Sequence, residues 1–410
     1  MRIAILVGRL EVGGAELAMI ELARELAARG HRVMLYTLFD HANAHAVLAQ
    51  SAPSRSDART APPPESLTQD TKVEGSFDYH PLIGPKSGSL FGVAWQLLCA
   101  TWRLRGLLRN RRAHVLYSAL NIANMLAWFA VRGQNVRLIW SFHGTDSRRS
   151  WEDATAMRAC ALLSRQVPVA VAVSEAARQY FLQAGVRPQQ FVVIANGTDT
   201  ARLRPDGVAR AQQRAAWDIG DDTVLVGVLA RVAPVKAPER LIAALQVACA
   251  RVPQLQAVWV GAGQPAYVAA VKAHALAARL EHKLRFLGPS QQVPSVLNAL
   301  DVFVLLSHSE GAPKSLAEAM ATALPCVIDR RAGAETLGDA GWVLDGDDAQ
   351  AVAEVLVQLA TQREQRSAAG QRARARIEAT LTLQHTVNAT EALFSDAELP
   401  RSVHRPSDGA

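Results

Sequence analysis

A pattern of apolar strand, loop and helix starts twice along this chain, and it constrains the fold more than any other feature. Residues 3–38 contain the first start, with the glycine loop Gly13-Gly14 between an apolar strand and a helical segment. The second start is the strand at 224–229, and the same alternation continues to residue 306. Repeated strand–helix–strand units predict an α/β fold with parallel sheets, here in two Rossmann-like domains.

The segments between and beyond these units differ in composition. Residues 41–88 include Pro62-Pro63-Pro64 and many Ser and Ala residues, which is typical of a mobile loop or insertion. A helical segment returns near the C-terminus, and the last residues have the composition of a disordered tail. The predicted organisation is an N-terminal domain at 1–204, a C-terminal domain at 205–383, a helix at 384–394 and a tail at 395–410.

Composition excludes several classes of protein. The chain has 410 residues, of which 50% are hydrophobic and 20% are charged, as in globular proteins of two or three domains. Its four cysteines are scattered, so we expect a reducing compartment and no zinc site. Residues 1–7 are too few for the apolar core of a signal peptide, and no apolar run is long enough to cross a bilayer. We therefore expect a cytoplasmic protein whose only membrane contact is peripheral.

The net charge of +7 is concentrated in one predicted helix, Leu90 to Arg112. Five arginines and no acid lie between residues 101 and 112, interleaved with apolar residues that include Trp102. Such a helix can lie on an anionic membrane surface. The alternative is an ordinary helix packed on the sheet, with Trp95 and Trp102 as core residues seven positions apart.

The segment 301–335 carries the clearest chemical signal. An apolar strand at 302–306 is followed by a turn containing Glu310 and then by a helix opening near Ser315. This order places free backbone N–H groups and the positive end of a helix dipole where an anion can bind. Glu318 lies eight residues after Glu310, and Pro313 makes one continuous helix through both unlikely. Glu318 either contacts a ligand or forms a capping box with Ser315.

This segment resembles the Glu-x7-Glu motif of the retaining glycosyltransferases of family 4 (group 1), which have the GT-B fold. The resemblance continues through Ala319-Met320-Ala321 and 324–327 to Glu335, and more weakly over nearly the whole chain. It implies two domains facing an interdomain cleft, with the N-terminal domain on the acceptor side and the helix at 384–394 packed back on it. It also implies that Glu310 lies by the donor sugar and that Glu318 holds the ribose hydroxyls.

The implied reaction is transfer of a sugar from a nucleotide-diphosphate sugar to a glycan or lipid-linked acceptor. The products would be cell-surface polysaccharide or glycolipid, such as lipopolysaccharide or exopolysaccharide. Arg231 and Lys236 resemble the Arg-x4-Lys pair that binds the donor pyrophosphate, and His143 ends a strand where the family has a sugar-contacting His. The candidate catalytic residues are Glu310, Arg231, Lys236 and His143. The candidate nucleotide-sugar-binding residues are Gly13, Gly14, Gly261, Gly263, Gly311, Ala312, Pro313, Lys314, Ser315 and Glu318.

No metal, cofactor or nucleic acid is expected. Asp345-Gly346-Asp347 has the spelling of the Asp-x-Asp motif of metal-dependent sugar transferases, but it follows the last predicted strand and is interpreted as a turn. The positive charge that the diphosphate needs would come from Arg231 and Lys236 instead.

The chain departs from the family pattern at three places. Ala237, Ala323 and Arg331-Ala332 stand where the family usually has glycine. These changes motivate a second hypothesis, a catalytically silent GT-B protein that binds a nucleotide sugar within a complex. A third hypothesis, a nicotinamide oxidoreductase, depends on Gly261-x-Gly263 alone, which is only part of a dinucleotide fingerprint.

Overall fold

The chain forms two compact units, Met1–Asn196 with Leu383–Ala410, and Gly197–Thr382. The computed structural model describes residues 1–8, 10, 13–40, 48, 71–73, 77–85, 89–144 and 151–395. The predicted tail therefore lies almost wholly outside the described residues. Each unit contains a sheet with helices packed against it, so the predicted α/β fold with two parallel-sheet domains is confirmed.

The first unit is built on an eight-stranded sheet with the order β3-β4-β2-β1-β5-β6-β7-β8. Every neighbouring pair is parallel except β3–β4. The strands are β1 (Arg2–Val7), β2 (Arg32–Phe39), β3 (Thr71–Val73), β4 (Phe77–Ile83), β5 (Val115–Ala119), β6 (Arg137–Phe142), β7 (Val169–Ala172) and β8 (Gln190–Val193).

Six helices in the described part of the chain belong to this unit. They are α1 (Gly14–Ala28), α2 (Leu90–Asn110), α3 (Asn121–Val131), α4 (Trp151–Leu163), α5 (Glu175–Gln183) and α14 (Leu383–Phe394). The last of these is held against the end of α1, where Glu391 accepts hydrogen bonds from Arg29 at 2.6 Å and pairs with His31 at 2.7 Å. Val387 and Leu393 are buried in the core of the first unit.

One prediction about the first unit is wrong in part, and a second is wrong. The segment predicted as a mobile loop at 41–88 contains β3 and β4, and its remaining residues lie mostly outside the described part. The apolar run of β4 is interrupted by Asp78, His80 and Pro81, and for this reason the sequence did not indicate a strand. The apolar residues between and beside them, Phe77, Tyr79 and Leu82, are nevertheless buried. The core interpretation of Trp95 and Trp102 on α2 is also wrong, because both side chains are exposed.

The second unit is built on a six-stranded parallel sheet with the order β11-β10-β9-β12-β13-β14. Its strands are β9 (Val224–Leu229), β10 (Leu255–Val260), β11 (Leu284–Gly288), β12 (Val302–Leu305), β13 (Cys326–Asp329) and β14 (Trp342–Leu344). Its helices are α6 (Gly207–Ala216), α7 (Pro238–Arg251), α8 (Pro265–Ala277), α9 (Val293–Ala299), α10 (Lys314–Ala321), α11 (Ala334–Leu337), α12 (Ala349–Thr361) and α13 (Arg363–Thr380).

Helices cover both faces of this sheet, which explains why its central strands are apolar throughout. Every residue of β9 and β12 is buried. Gly227 gives β9 a gap into which Leu300 fits, since a Cβ at residue 227 would lie 2.2 Å from Leu300 Cδ1. The loops that leave the carboxyl ends of β9, β10, β12 and β13 therefore start from a rigid base.

Within the described residues, none of the helices has the length and apolar character that crossing a bilayer requires.

Candidate functional site

The loop after β9 carries Arg231 and is held by close backbone contact with the loop after β10. Val232 N–H donates to the Ala262 carbonyl at 2.8 Å, and Val232 pairs with Gly263. A Cβ on Gly261 would lie 1.9 Å from the Ala230 oxygen, so glycine is required there by packing. Packing between the two loops therefore explains the Gly261-x-Gly263 pattern without a dinucleotide. The Arg231 side chain is exposed.

Lys236 and Glu310 form an ion pair at the centre of the site. Lys236 ends a short 3₁₀ turn, Pro234–Lys236, and Glu310 lies on the turn after β12. The lysine ammonium donates to the Glu310 carboxylate, and the two side chains are only 17% and 13% exposed. Two residues 74 positions apart, both predicted from the sequence, thus meet as a shielded pair of opposite charges.

Backbone hydrogen bonds fix the turn that carries Glu310. His308 N–H donates to the Val235 carbonyl at 2.9 Å, which ties this turn to the Lys236 turn. Glu310 N–H donates to the Arg331 carbonyl at 3.0 Å, which ties it to the loop after β13. Gly333 packs against Pro313, where a Cβ would lie 2.7 Å from the proline ring. Two other loops, those after β9 and β13, therefore fix the turn that carries Glu310.

Helix α10 begins at Lys314, one residue before the predicted opening, and its N-terminus has no side-chain cap. Because Ser315 lies inside the helix and the N-cap is Pro313, the capping-box interpretation of Glu318 is wrong. Glu318 is instead buried and lies 3.7 Å from the Lys314 ammonium. The N-terminus of α10 follows Gly311 and Ala312 directly, and a helix N-terminus is a common position for an anion.

A network of buried and partly exposed ion pairs, which we did not predict, stabilises the carboxyl ends of β12 and β13. Arg240 on α7 is buried and donates to the Leu306 carbonyl, to Asp329 at 3.1 Å and to Asp347 at 2.5 Å. Asp329 also accepts two bonds from the Arg331 guanidinium and one each from the Arg331 and Gly346 N–H groups. The only sequence signal for this network is a charged residue, Arg240, on the apolar face of α7.

The charge of Asp329 is stabilised by these contacts. Burial raises the pKa of the Asp329 carboxyl, but the hydrogen bonds from Arg331 and Gly346 outweigh burial and lower the pKa to about 2. Asp329 is therefore ionised at neutral pH although it is fully buried.

Two of the residues that replace family glycines keep a backbone shape that glycine favours. Ala237 has φ +48° and Ala323 has φ +58°, both in the left-handed region. For a residue with a Cβ this conformation costs about 1–2 kcal/mol. Both turns thus have a left-handed residue, and the alanine at each position adds backbone strain.

The Asp345-Gly346-Asp347 segment forms a turn, as its position predicts. Asp348 N–H donates to the Asp345 carbonyl at 3.1 Å, and Asp347 N–H donates to the Asp345 carboxylate at 3.2 Å. The Asp347 carboxylate pairs with Arg240 and Arg331. No group of three or more metal-ligating side chains occurs within the described residues.

His143 and the Gly13-Gly14 loop belong to the first unit. His143 follows β6, is partly buried, and shares a 2.9 Å hydrogen bond with the Ser141 hydroxyl. Burial lowers the pKa of His143 to about 4, so its imidazole is neutral at physiological pH. Gly13 is the N-cap of α1. Residues 145–150, which follow His143 and Gly144, lie outside the described residues, and the role of His143 towards a sugar stays a prediction.

The comparisons with known proteins agree with this architecture. Residues 12–202 match the family model described as Glycosyltransferase Family 4, and residues 209–376 match the model described as Glycosyl transferases group 1. Together the two matches extend through both units.

Two similar proteins carry the names of sugar transferases. The chain is 27% identical to a D-inositol 3-phosphate glycosyltransferase of Thermomonospora curvata over 94% of each chain. It is 30% identical to a GDP-mannose-dependent alpha-(1-6)-phosphatidylinositol monomannoside mannosyltransferase of Mycolicibacterium smegmatis, over 56% of this chain and 62% of that protein.

Solved structures share the fold over almost the full length. Anabaena HepE, crystallised with UDP and glucose, has a TM-score of 0.77 at 21% identity and covers 97% of this chain and 100% of its own. Sucrose-phosphate synthase of Thermosynechococcus elongatus has a TM-score of 0.78 at 17% identity, over 97% of this chain and 99% of its own. With both family models matched and this fold in common, the chain belongs to the group 1 glycosyltransferases of family 4, has the GT-B fold, and is an enzyme of the hexosyltransferase type.

Proposed function

We propose that this enzyme transfers a hexose, with retention of anomeric configuration and without a divalent metal, from a nucleotide-diphosphate sugar to a glycan or lipid-linked acceptor. The observation that carries the proposal is the Lys236–Glu310 pair beside the uncapped N-terminus of α10. A cation, a carboxylate and the N-terminus of a helix are together suited to stabilise a departing diphosphate and a developing sugar cation.

The residues divide the chemistry between them. The bond from the sugar C1 to the diphosphate breaks, and a bond from C1 to the acceptor hydroxyl forms on the same face. The leaving diphosphate oxygen accepts the hydroxyl proton, so the protein needs no second carboxylate as nucleophile. Lys236, Arg231 and the α10 N–H groups offset the negative charge on the diphosphate. Glu310 orients the sugar and stabilises positive charge at C1, and Glu318 binds the ribose hydroxyls.

The names of relatives support the class of donor and acceptor. HepE was crystallised with UDP-glucose, and the mycobacterial relative is named for GDP-mannose and for a phosphatidylinositol mannoside. We therefore assign the reaction to glycolipid or cell-surface polysaccharide synthesis, at the face of a membrane that carries the acceptor.

Binding and hydrolysis of donors test the proposal. Isothermal titration with UDP- and GDP-sugars and with NAD should give one nucleotide sugar a clear preference and no binding of NAD. Slow hydrolysis of the preferred donor should then release free sugar of unchanged anomeric configuration, which NMR detects before mutarotation. Binding without hydrolysis or transfer would favour the catalytically silent alternative, and release of the opposite anomer would exclude a retaining reaction.

A further inference from the structure

Helix α2 exposes a straight stripe of large apolar side chains. Phe91, Trp95, Leu98 and Trp102 are 91%, 68%, 57% and 73% exposed, and they recur at the i, i+4, i+7, i+11 spacing of one helix face. The stripe is about 16 Å long at 1.5 Å per residue. The opposite face is packed, because Val93, Ala100, Leu104 and Leu108 are buried. The helix does not need the stripe in order to fold against its sheet.

The stripe runs into a basic pocket at the C-terminal end of the same helix. Trp102 lines an open pocket of about 650 Å³ together with Arg105, Arg109 and Arg112. Arg109 lies seven residues after Trp102 and so continues the same face. No acidic residue occurs in the sequence between Ser89 and Arg112.

The structure separates the arginines of α2 that hold the fold from those that remain for a partner. Arg103 donates to the Leu82 carbonyl, and Arg105 donates to the carbonyls of Ala130 and Arg132. Arg111 pairs with Asp78 at 3.5 Å. For Arg109 and Arg112, no acidic side chain within the described residues forms an ion pair with the guanidinium.

We infer that this surface, the stripe of Phe91, Trp95, Leu98 and Trp102 with the pocket of Arg105, Arg109 and Arg112, docks on an anionic lipid bilayer. The stripe would lie at the level of the headgroups with its aromatic rings in the interface, and Arg109 and Arg112 in the pocket would hold a lipid phosphate. Tryptophan and arginine are suited to these two positions, because one prefers the interface and the other binds phosphate with two N–H groups at once.

Other occupants fit the surface less well. A second copy of this chain, laid with its own stripe on this one, would bring no acidic group from the same helix to the arginines. A free phosphate would satisfy the pocket but leave the four apolar side chains exposed. An anionic bilayer satisfies both parts at once.

This inference rests on the proposed function only for its purpose, which is to hold the enzyme at a membrane that carries the acceptor. Binding to vesicles needs no donor and no acceptor, whereas donor hydrolysis needs no vesicle. If hydrolysis failed while vesicle binding persisted, the proposed function would fail and the docking surface would stand.

The experiment is flotation of the full-length protein with vesicles of phosphatidylcholine alone or of phosphatidylcholine mixed with phosphatidylglycerol. The protein should float only with the anionic vesicles, and added salt should release it. Arg109→Glu with Arg112→Glu should weaken binding more than about 25-fold, since each lost arginine counts for about fivefold. Trp95→Ser with Trp102→Ser should weaken it at least about tenfold.

Matched controls lie on exposed positions of the second unit. Lys272→Glu with Arg372→Glu changes the net charge by the same amount, and Val208→Ser with Leu276→Ser removes two exposed apolar side chains. Both control pairs should bind like the natural protein, and all four variants should keep donor hydrolysis.

Three results would overturn the inference. One is equal flotation with neutral and anionic vesicles, or no flotation at all. Another is equal weakening by the control pairs, which would indicate a general charge effect. The third is a protein that self-associates in sedimentation but does not bind vesicles. If Trp95→Ser with Trp102→Ser abolished that self-association, the stripe would be an interface between copies.

Discussion

At the scale of single residues, the proposed chemistry depends most on the Lys236–Glu310 pair. Replacing Glu310 by Gln keeps the shape and a hydrogen-bond acceptor but removes the negative charge that we propose faces C1. Replacing Lys236 by Ala removes the cation that we propose offsets the diphosphate charge, and it removes the ion-pair partner of Glu310. Each change should lower kcat by about a hundredfold or more.

The matched control is the exposed pair of Arg251 and Glu354, whose carboxylate accepts from the guanidinium on a solvent-facing part of the second unit. Glu354→Gln should leave kcat unchanged. If Glu310→Gln retained more than about a tenth of the turnover, Glu310 would not have the proposed role at C1.

Glu318 should act on binding rather than on turnover. It is buried on α10, and Lys314 at the start of the same helix lies 3.7 Å away. Glu318→Ala should weaken nucleotide binding by about 1–3 kcal/mol through the loss of hydrogen bonds to a charged acceptor. Isothermal titration with the preferred nucleoside diphosphate measures this change. A variant with a lower melting temperature but unaltered nucleotide affinity would assign Glu318 a purely structural role.

Ala323 offers a test of backbone strain by a substitution that should stabilise the protein. Its left-handed φ of +58° costs about 1–2 kcal/mol, while glycine adds only about 0.4–1 kcal/mol of unfolded-state entropy. Ala323→Gly should therefore raise the free energy of unfolding by up to about 1 kcal/mol in urea denaturation.

The control is an exposed alanine in an ordinary helix. Ala375→Gly on α13 should lower the free energy of unfolding by about 1 kcal/mol, because glycine is a poor helix former. Equal losses at residues 323 and 375 would contradict the strain argument.

At the scale of elements, the Arg240–Asp329 network joins the ends of β12 and β13 to α7. It positions the Arg331 carbonyl, which in turn holds the Glu310 N–H at 3.0 Å. The network therefore supports the turn that carries Glu310. This arrangement explains why a buried pair of charges lies in an otherwise apolar part of the sheet.

Asp329 should make the free energy of unfolding depend on pH in the acidic range. Its folded-state pKa of about 2 lies below the ordinary aspartate value, so the ionised form stabilises the fold above about pH 4. That contribution, about 2–3 kcal/mol, is lost as the pH falls from about 4 towards 2. Asp329→Asn should accordingly be less stable at neutral pH and lose less stability on acidification.

The measurement is the free energy of unfolding of both proteins between pH 7 and pH 2, and the difference between them isolates Asp329 from other carboxyls. Asp347→Asn is the matched control, because Asp347 pairs with the same arginines but is 65% exposed. A constant difference across the whole pH range would show that Asp329 acts only through packing.

At the scale of the whole molecule, the fold could be predicted because its signals are local. A few residues are enough to indicate the apolar strands β9 and β12, and a few more indicate the loops that follow them with Lys236 and Glu310. The strand β4 was missed because Asp78, His80 and Pro81 mask the apolar side chains between them.

The long-range contacts of the site could not be predicted in the same way. Arg240 meets Asp329 across 89 positions of sequence, and periodicity carries no information on such a pairing. The left-handed φ of Ala237 and Ala323 was equally hidden, because alanine gives no signal for that conformation. The exposure of Trp95 and Trp102 depended on which face of α2 meets the sheet, and both alternatives fitted the sequence.

The last prediction concerns the charge that balances the donor. Arg231, Lys236 and the N-terminus of α10 provide a fixed positive field in the second unit, so transfer should not require a divalent cation. Activity measured in excess EDTA should equal activity in magnesium or manganese. The exposed Asp345 and Asp347 provide the control, since Asp345→Asn should leave transfer unchanged in either buffer. Loss of transfer in EDTA, with recovery on adding manganese or magnesium, would instead require a metal at the diphosphate and would make Asp345 and Asp347 its first candidate ligands.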